Sequence, residues 1–251
     1  MHNVFKWKLH KVLHSPLLPI FSGAGVLYGI IFPLVANNSD FTNGIKFMQG
    51  AAVNASSLLV LATGLFCAIS INHDIVSRQA SVGIMAGSTK GAVLFVESLF
   101  YLVPIMIFMA ASALASFITG TVLTGTTGIE SSGAGFFNFF WLSVYLLVVA
   151  ASFSVCIPLA LLMKREAVCG AACFVLILVL HSITESFFQL DSAESVMKAI
   201  KLLQFTSFGQ LFICAGCDSA AGLATALGVS LITLTVIFEL SLIIFKRMEL
   251  K

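Results

Sequence analysis

The side chains placed to do chemistry in this sequence are few. His181 and Glu185 lie four apart, so a helix puts both on one face. Such a pair can relay a proton or hold a metal, and it can equally make a helix-end hydrogen bond. Cys214-Ala-Gly-Cys217 has the spacing of a redox motif without the strand-to-helix setting of a thioredoxin fold. On an outward segment the two thiols could close as a disulfide. Cys169 and Cys173 share a helix face with no histidine nearby, a pattern of packing, and no metal-binding set is read. Glu97 and Glu239 stand in or beside apolar runs, where ionisable residues usually face protein or a water-filled cavity. They can form a polar patch near an inward-facing vestibule. They can also snorkel to the interface or pair with Lys90, Lys164, Arg165 or Lys246.

No pattern of glycine, four residues and Gly-Lys-Ser/Thr occurs, so ATP hydrolysis by a P-loop is not expected. Neither His-Glu-x-x-His nor Gly-x-Ser-x-Gly occurs. The expectation is a chain that is not an enzyme and binds no cofactor of its own. Of its 251 residues, 59% are hydrophobic and 10% are Asp, Glu, Lys or Arg, and the mean hydropathy is +1.06. A soluble domain carries about 25% charged residues, so a monomeric globular enzyme is excluded. A net charge of +2 without a basic block gives no nucleic-acid signature. Strand-like alternation at barrel length is absent, so membrane spans must be helical.

A span needs about 20 mostly apolar residues, and six such runs can be read. They are Leu17 to Ala36, Ala52 to Ile71, Leu99 to Ile118, Phe136 to Met163, Val168 to Ile183 and Leu223 to Phe245. The first follows a 16-residue leader and is longer than a signal-peptide core, so it is read as uncleaved. With the amino terminus cytoplasmic, ten of the 13 basic residues face the cytoplasm, leaving Lys46, Lys198 and Lys201 outside. The expected fold is therefore an all-α, multi-pass membrane protein with both termini cytoplasmic. Residues 1–251 form one transmembrane domain in the cytoplasmic membrane. Glu239 does not overturn the last span. A central acid costs about 2.5–3.5 kcal/mol, and the span's Leu, Ile, Val and Phe residues return roughly 4–8 kcal/mol.

Three segments outside the spans position the rest. In the leader, residues 1–16, Phe5, Leu9, Val12 and Leu13 form a helical stripe with Lys6, Lys8 and Lys11 elsewhere, as in an amphipathic helix at the lipid surface. It serves as a topogenic basic leader or as a helix that carries force into the first span. The cytoplasmic segment 72–96 holds Asp74, Arg78, Lys90 and the glycines Gly83, Gly87 and Gly91. Four-residue spacing gives these glycines one helix face for close approach, or they break the segment into turns. The outward segment 185–222 contains an apolar run from Leu202 to Ala215, of re-entrant or interfacial length. Residues 119–135 read as a flexible connector, and Phe136, Phe137, Phe139, Phe140 and Trp141 as an aromatic belt.

This order of parts resembles the permease subunit of type-2 ABC transporters, the export-type family that includes bacterial antibiotic and lantibiotic exporters. Phe5-Lys6-Trp7-Lys8-Leu9-His10-Lys11-Val12-Leu13-His14-Ser15-Pro16 is similar to the family's leader, Lys-x-x-Leu-Arg-Ser-Pro. Ala86-Gly87-Ser88-Thr89-Lys90-Gly91-Ala92-Val93 is similar to its Ser-Gly-x-Ser-Arg-x-x-Ile, and Phe245-Lys246-Arg247-Met248-Glu249-Leu250-Lys251 to its basic ending. Arg78-Gln79 stand where the family has Gly-Thr, and Glu97 where it has lysine. The resemblance implies a separate cytoplasmic ATPase subunit holding ATP and Mg, a second permease copy or homologue, and an amphiphilic substrate. It makes Asp74, Arg78, Gly83, Gly87 and Lys90, with Lys164 and Arg165, the candidates for ATPase coupling. Two other classes stay open. One is an ion-coupled secondary transporter using Glu239 or His181 with Glu185. The other is a membrane-embedded enzyme, sensor or immunity protein.

Overall fold

The computed structural model of the chain describes residues 2–13, 17–36, 41–76, 84–85, 87–129, 132–189, 203–215 and 219–248. No strand occurs among them. The helices are α1 (His2–Leu13), α2 (Leu17–Val35), α3 (Gly44–Cys67) and, after a π-helical turn Ala68–Asn72, α4 (His73–Val76). They continue as α5 (Lys90–Thr124), α6 (Ser132–Phe153), α7 (Cys156–Leu162), α8 (Glu166–Gln189), α9 (Ser207–Ala215) and α10 (Ala220–Arg247).

Five stretches among the described residues are helical, long and apolar enough to cross a membrane: Leu18–Val35, Lys90–Thr124, Gly135–Leu162, Glu166–Ser186 and Ala220–Arg247. The run Ala52 to Ile71 is helical too, within α3 and the π turn, and its helix carries Lys46, Gln49, Asn54, Ser56 and Ser57. Helix α5 has 35 residues. At 1.5 Å per residue it is about 52 Å long and outruns an apolar layer of about 30 Å. Its start is fixed by Thr89, whose hydroxyl accepts from the Ala92 amide at 3.2 Å, and its end by Gly125 at φ +70°.

The fourth apolar run is interrupted. Pro158 lacks the N–H that would bond the Ser154 carbonyl, and the Ile157 amide takes that oxygen at 2.9 Å instead. Helices α6 and α7 are therefore separated by a tight turn at residues 154–155.

The core is shared by α3, α5, α6, α7 and α8, with Trp141, Tyr101, Tyr145 and Phe153 among its largest fully buried side chains. Trp141 stacks on Tyr145 at 5.1 Å and donates its indole N–H to the Cys214 carbonyl at 2.7 Å. That bond ties α9 to α6. With nine residues, α9 is too short to cross a bilayer, and it buries Phe208, Leu211 and Cys214 against the protein.

The first apolar helix is held by close backbone approach. A Cβ on Gly25 would lie 2.6 Å from the Phe108 carbonyl oxygen, and one on Gly29 would lie 2.8 Å from the Ala115 methyl. Gly25 and Gly29 are four apart and meet the small residues Ala111, Ser112 and Ala115 of α5. Small residues at four-residue spacing are how apolar helices pack where no hydrophobic force separates them from lipid.

Candidate functional site

Lys8 was expected on the solvent-facing side of the leader. It is instead 2% exposed, and its ammonium is the centre of a buried ionic cluster. It donates to the carboxylates of Asp74 in α4 and Glu97 in α5, both buried, and to the Ser70 carbonyl in the π turn at 3.5 Å. Three donors of an ammonium thus meet three acceptors, one each in the π turn, α4 and α5. The register follows from helix geometry. Phe5 lies 5.5 Å from Phe100 between ring centroids, while Lys8 meets Glu97. Advancing three residues along α1 retreats three along α5, so the leader runs antiparallel to the start of α5.

Glu97 is therefore buried rather than snorkelling, and among the described residues the cation it is seen to meet is Lys8. The sequence carried a signal for this. Phe5, Lys8, Leu9 and Val12 follow i, i+3, i+4, i+7 spacing, which sets Lys8 on the leader's apolar stripe.

Around the cluster, polar side chains tie helix ends together. Asn72, fully buried, donates to the Ala160 carbonyl at 2.9 Å and the Met163 carbonyl at 2.8 Å, closing the end of α7. His73 Nδ1 lies 2.9 Å from a Glu166 carboxylate oxygen at the start of α8. Lys90 donates to the Lys246 and Met248 carbonyls, each at 3.1 Å, and so caps α10 with a cation where the helix dipole favours one.

The other candidates divide. Lys164 and Arg165 are exposed in the turn between α7 and α8. Gly87 is exposed in a turn at φ +87°, a left-handed value that suits glycine, and its amide donates to the Ile84 carbonyl at 2.9 Å. Gly91 belongs to α5, so these two do not share a helix face. Arg78 and Gly83 lie outside the described residues. Glu239 is exposed on α10, whose long apolar face is barely covered by the rest of the chain. His181 is buried and lies 3.2 Å from the Ser57 hydroxyl of α3, with its ring 5.4 Å from Phe212. Glu185, one turn further along α8, is exposed. Cys214 is buried and Cys217 lies outside the described residues, so their pairing falls outside them too.

An apolar cavity of about 360 Å³ opens between α5, α7 and α10. It is lined by Phe95, Leu102, Leu234 and Phe238 with Ser98 and Ser154 as polar points, and the buried Ser98 hydroxyl has no hydrogen-bond partner among the described residues. Ser98 directly follows Glu97, so the ionic cluster and the cavity adjoin along α5.

No protein-family model matches the chain, and no curated protein matches it. The functional reading rests on these residues alone.

Proposed function

We propose that this chain is the permease subunit of an ATP-driven exporter in the cytoplasmic membrane. It spans the membrane six times with both termini inside, and α3 with its π turn supplies the second span. A separate ATPase subunit, holding ATP and Mg, powers it, and a second permease copy or homologue completes the pathway. The cargo is an amphiphile, such as a peptide antibiotic or a lipid-like molecule.

The observation that carries this reading is the Lys8–Asp74–Glu97 cluster. It joins the leader, α4 and the start of α5 in one buried contact. Displacement of α4 would be transmitted through this contact to the leader and to α5. The capping of α10 by Lys90 extends the same linkage to the last span. The cavity beside Glu97 supports an apolar cargo with few polar points. The uncovered face of α10 with Glu239 supports a second copy, because an acid facing lipid is expensive.

In proteoliposomes containing both subunits, Asp74→Asn, which keeps the Lys8–Glu97 contact, should leave insertion intact while ATP hydrolysis proceeds without transport. Normal transport per ATP in that variant would overturn the assignment. One rival reading has support from the same cluster, since buried ionisable residues in membrane proteins also mark ion pathways. An ion-coupled carrier of that kind would transport on a proton gradient with no ATPase present.

A further inference from the structure

Four of the six cysteines converge on one place that the export reading does not use. Cys67 ends α3, Cys156 begins α7 after the Pro158 interruption, and Cys169 and Cys173 occupy one face of α8. All four are fully buried free thiols. The sulfurs of Cys67, Cys169 and Cys173 lie within 4.8 Å of one another. Cys67 Sγ is 3.4 Å from the Cys156 carbonyl oxygen, Cys173 Sγ is 3.9 Å from the same oxygen, and Cys156 Sγ is 4.0 Å from the Cys173 carbonyl. The π turn that widens the helix begins directly after Cys67, and such turns often mark functional positions.

Three sulfurs coordinated to one ion at about 2.3 Å stand a little under 4 Å apart, so the observed spacing closes by less than an ångström. From the sequence, Cys169 and Cys173 alone were a packing pair. The structure adds a third sulfur from another helix and a fourth thiol beside it. We infer that Cys67, Cys169 and Cys173, with Cys156 adjoining, form a thiolate site for a soft monovalent cation of the Cu(I) type.

Sulfur ligands select soft metals. The choice of ion follows from ligand number: structural zinc is almost always closed by four ligands, whereas three sulfurs converge here, a number that suits three-coordinate Cu(I). Each thiol that coordinates as a thiolate releases its proton to buffer. No electron is transferred, because the cation enters and stays as Cu(I). The bound ion would join α3 to α8 across the α6–α7 interruption.

The test is titration of the purified, detergent-solubilised full chain with Cu(I) under anaerobic conditions against a competing Cu(I) chelator. One ion per chain, a sulfur-to-Cu(I) ultraviolet band and protons released on binding are expected. Cys67→Ser and Cys173→Ser should weaken binding by more than the roughly 10–100-fold that loss of an outer-shell partner costs, and Cys214→Ser should not. On the unaltered chain, Cu(I) should shield Cys67, Cys169 and Cys173 from thiol alkylation read by mass spectrometry, which keeps the test valid where a variant does not fold. No shielding of these three thiols, or tighter binding of Zn(II) than Cu(I), would overturn the inference.

Discussion

Lys8 and Asp74 are 66 positions apart in sequence, and their side chains meet as a buried ion pair. Removing one partner of such a pair strands the other's charge, whereas removing all partners together does not. Lys8→Ala removes the ammonium that both carboxylates contact and should destabilise the fold by about 3–5 kcal/mol. Glu97→Gln keeps the Lys8–Asp74 contact and should cost less than Lys8→Ala does. Denaturation of the solubilised chain, followed by loss of monodisperse elution, measures both. Equal losses would contradict a cluster centred on Lys8.

The His73–Glu166 pair supplies the contrast. Both side chains are 45% exposed, so solvent screens the attraction. Glu166→Gln should cost less than about 1 kcal/mol in the same denaturation experiment, and added salt should shrink the difference further.

Packing of the first apolar helix depends on two glycines. Gly29→Val places bulk against the Ala115 methyl and the α5 backbone and should destabilise by about 1–3 kcal/mol. Gly23→Ala meets nothing within 4 Å and should be neutral or slightly stabilising. Protease susceptibility of the α2–α5 contact, read as cleavage rate under mild denaturant, separates the two variants.

Asn72 holds the end of α7 through two carbonyls. Asn72→Ala should cost about 1–3 kcal/mol, since it leaves buried acceptors without donors. Hydrogen exchange should speed at residues 157–163 and stay unchanged in α10. Uniform acceleration along the chain would argue against a local role for this side chain.

Much of the architecture is legible in the residues. Apolar runs of spanning length mark α2, α5, α8 and α10, and the fourth run is divided between α6 and α7. The interruption of the fourth run is not legible in this way: Pro158 accompanies a break, whereas Pro104 sits inside the continuous α5. The short apolar segment before the last helix reads as non-spanning by length, and α9 is such a helix. What pairwise spacing does not reveal is contact between distant segments. Lys8 reads as one of several leader lysines until Asp74 and Glu97 are folded against it. Cys67 and Cys156 are single apolar-run cysteines until α3, α7 and α8 meet. Gly25 and Gly29 carry the close-approach signature in plain sight, whereas Gly87 belongs to a turn. Glycine spacing alone does not distinguish the two uses.

The central claim is that a separate ATPase drives this chain through the segment containing Asp74. The most direct measurement is purification of the full chain from its native membrane, with ATP hydrolysis and transport assayed in the reconstituted complex. The account predicts a co-purifying ATPase with a P-loop, ATP-dependent movement of an amphiphile, and loss of that movement in Asp74→Asn with hydrolysis retained. A chain that transports on an ion gradient alone, with no ATPase bound and no response to ATP, would contradict it.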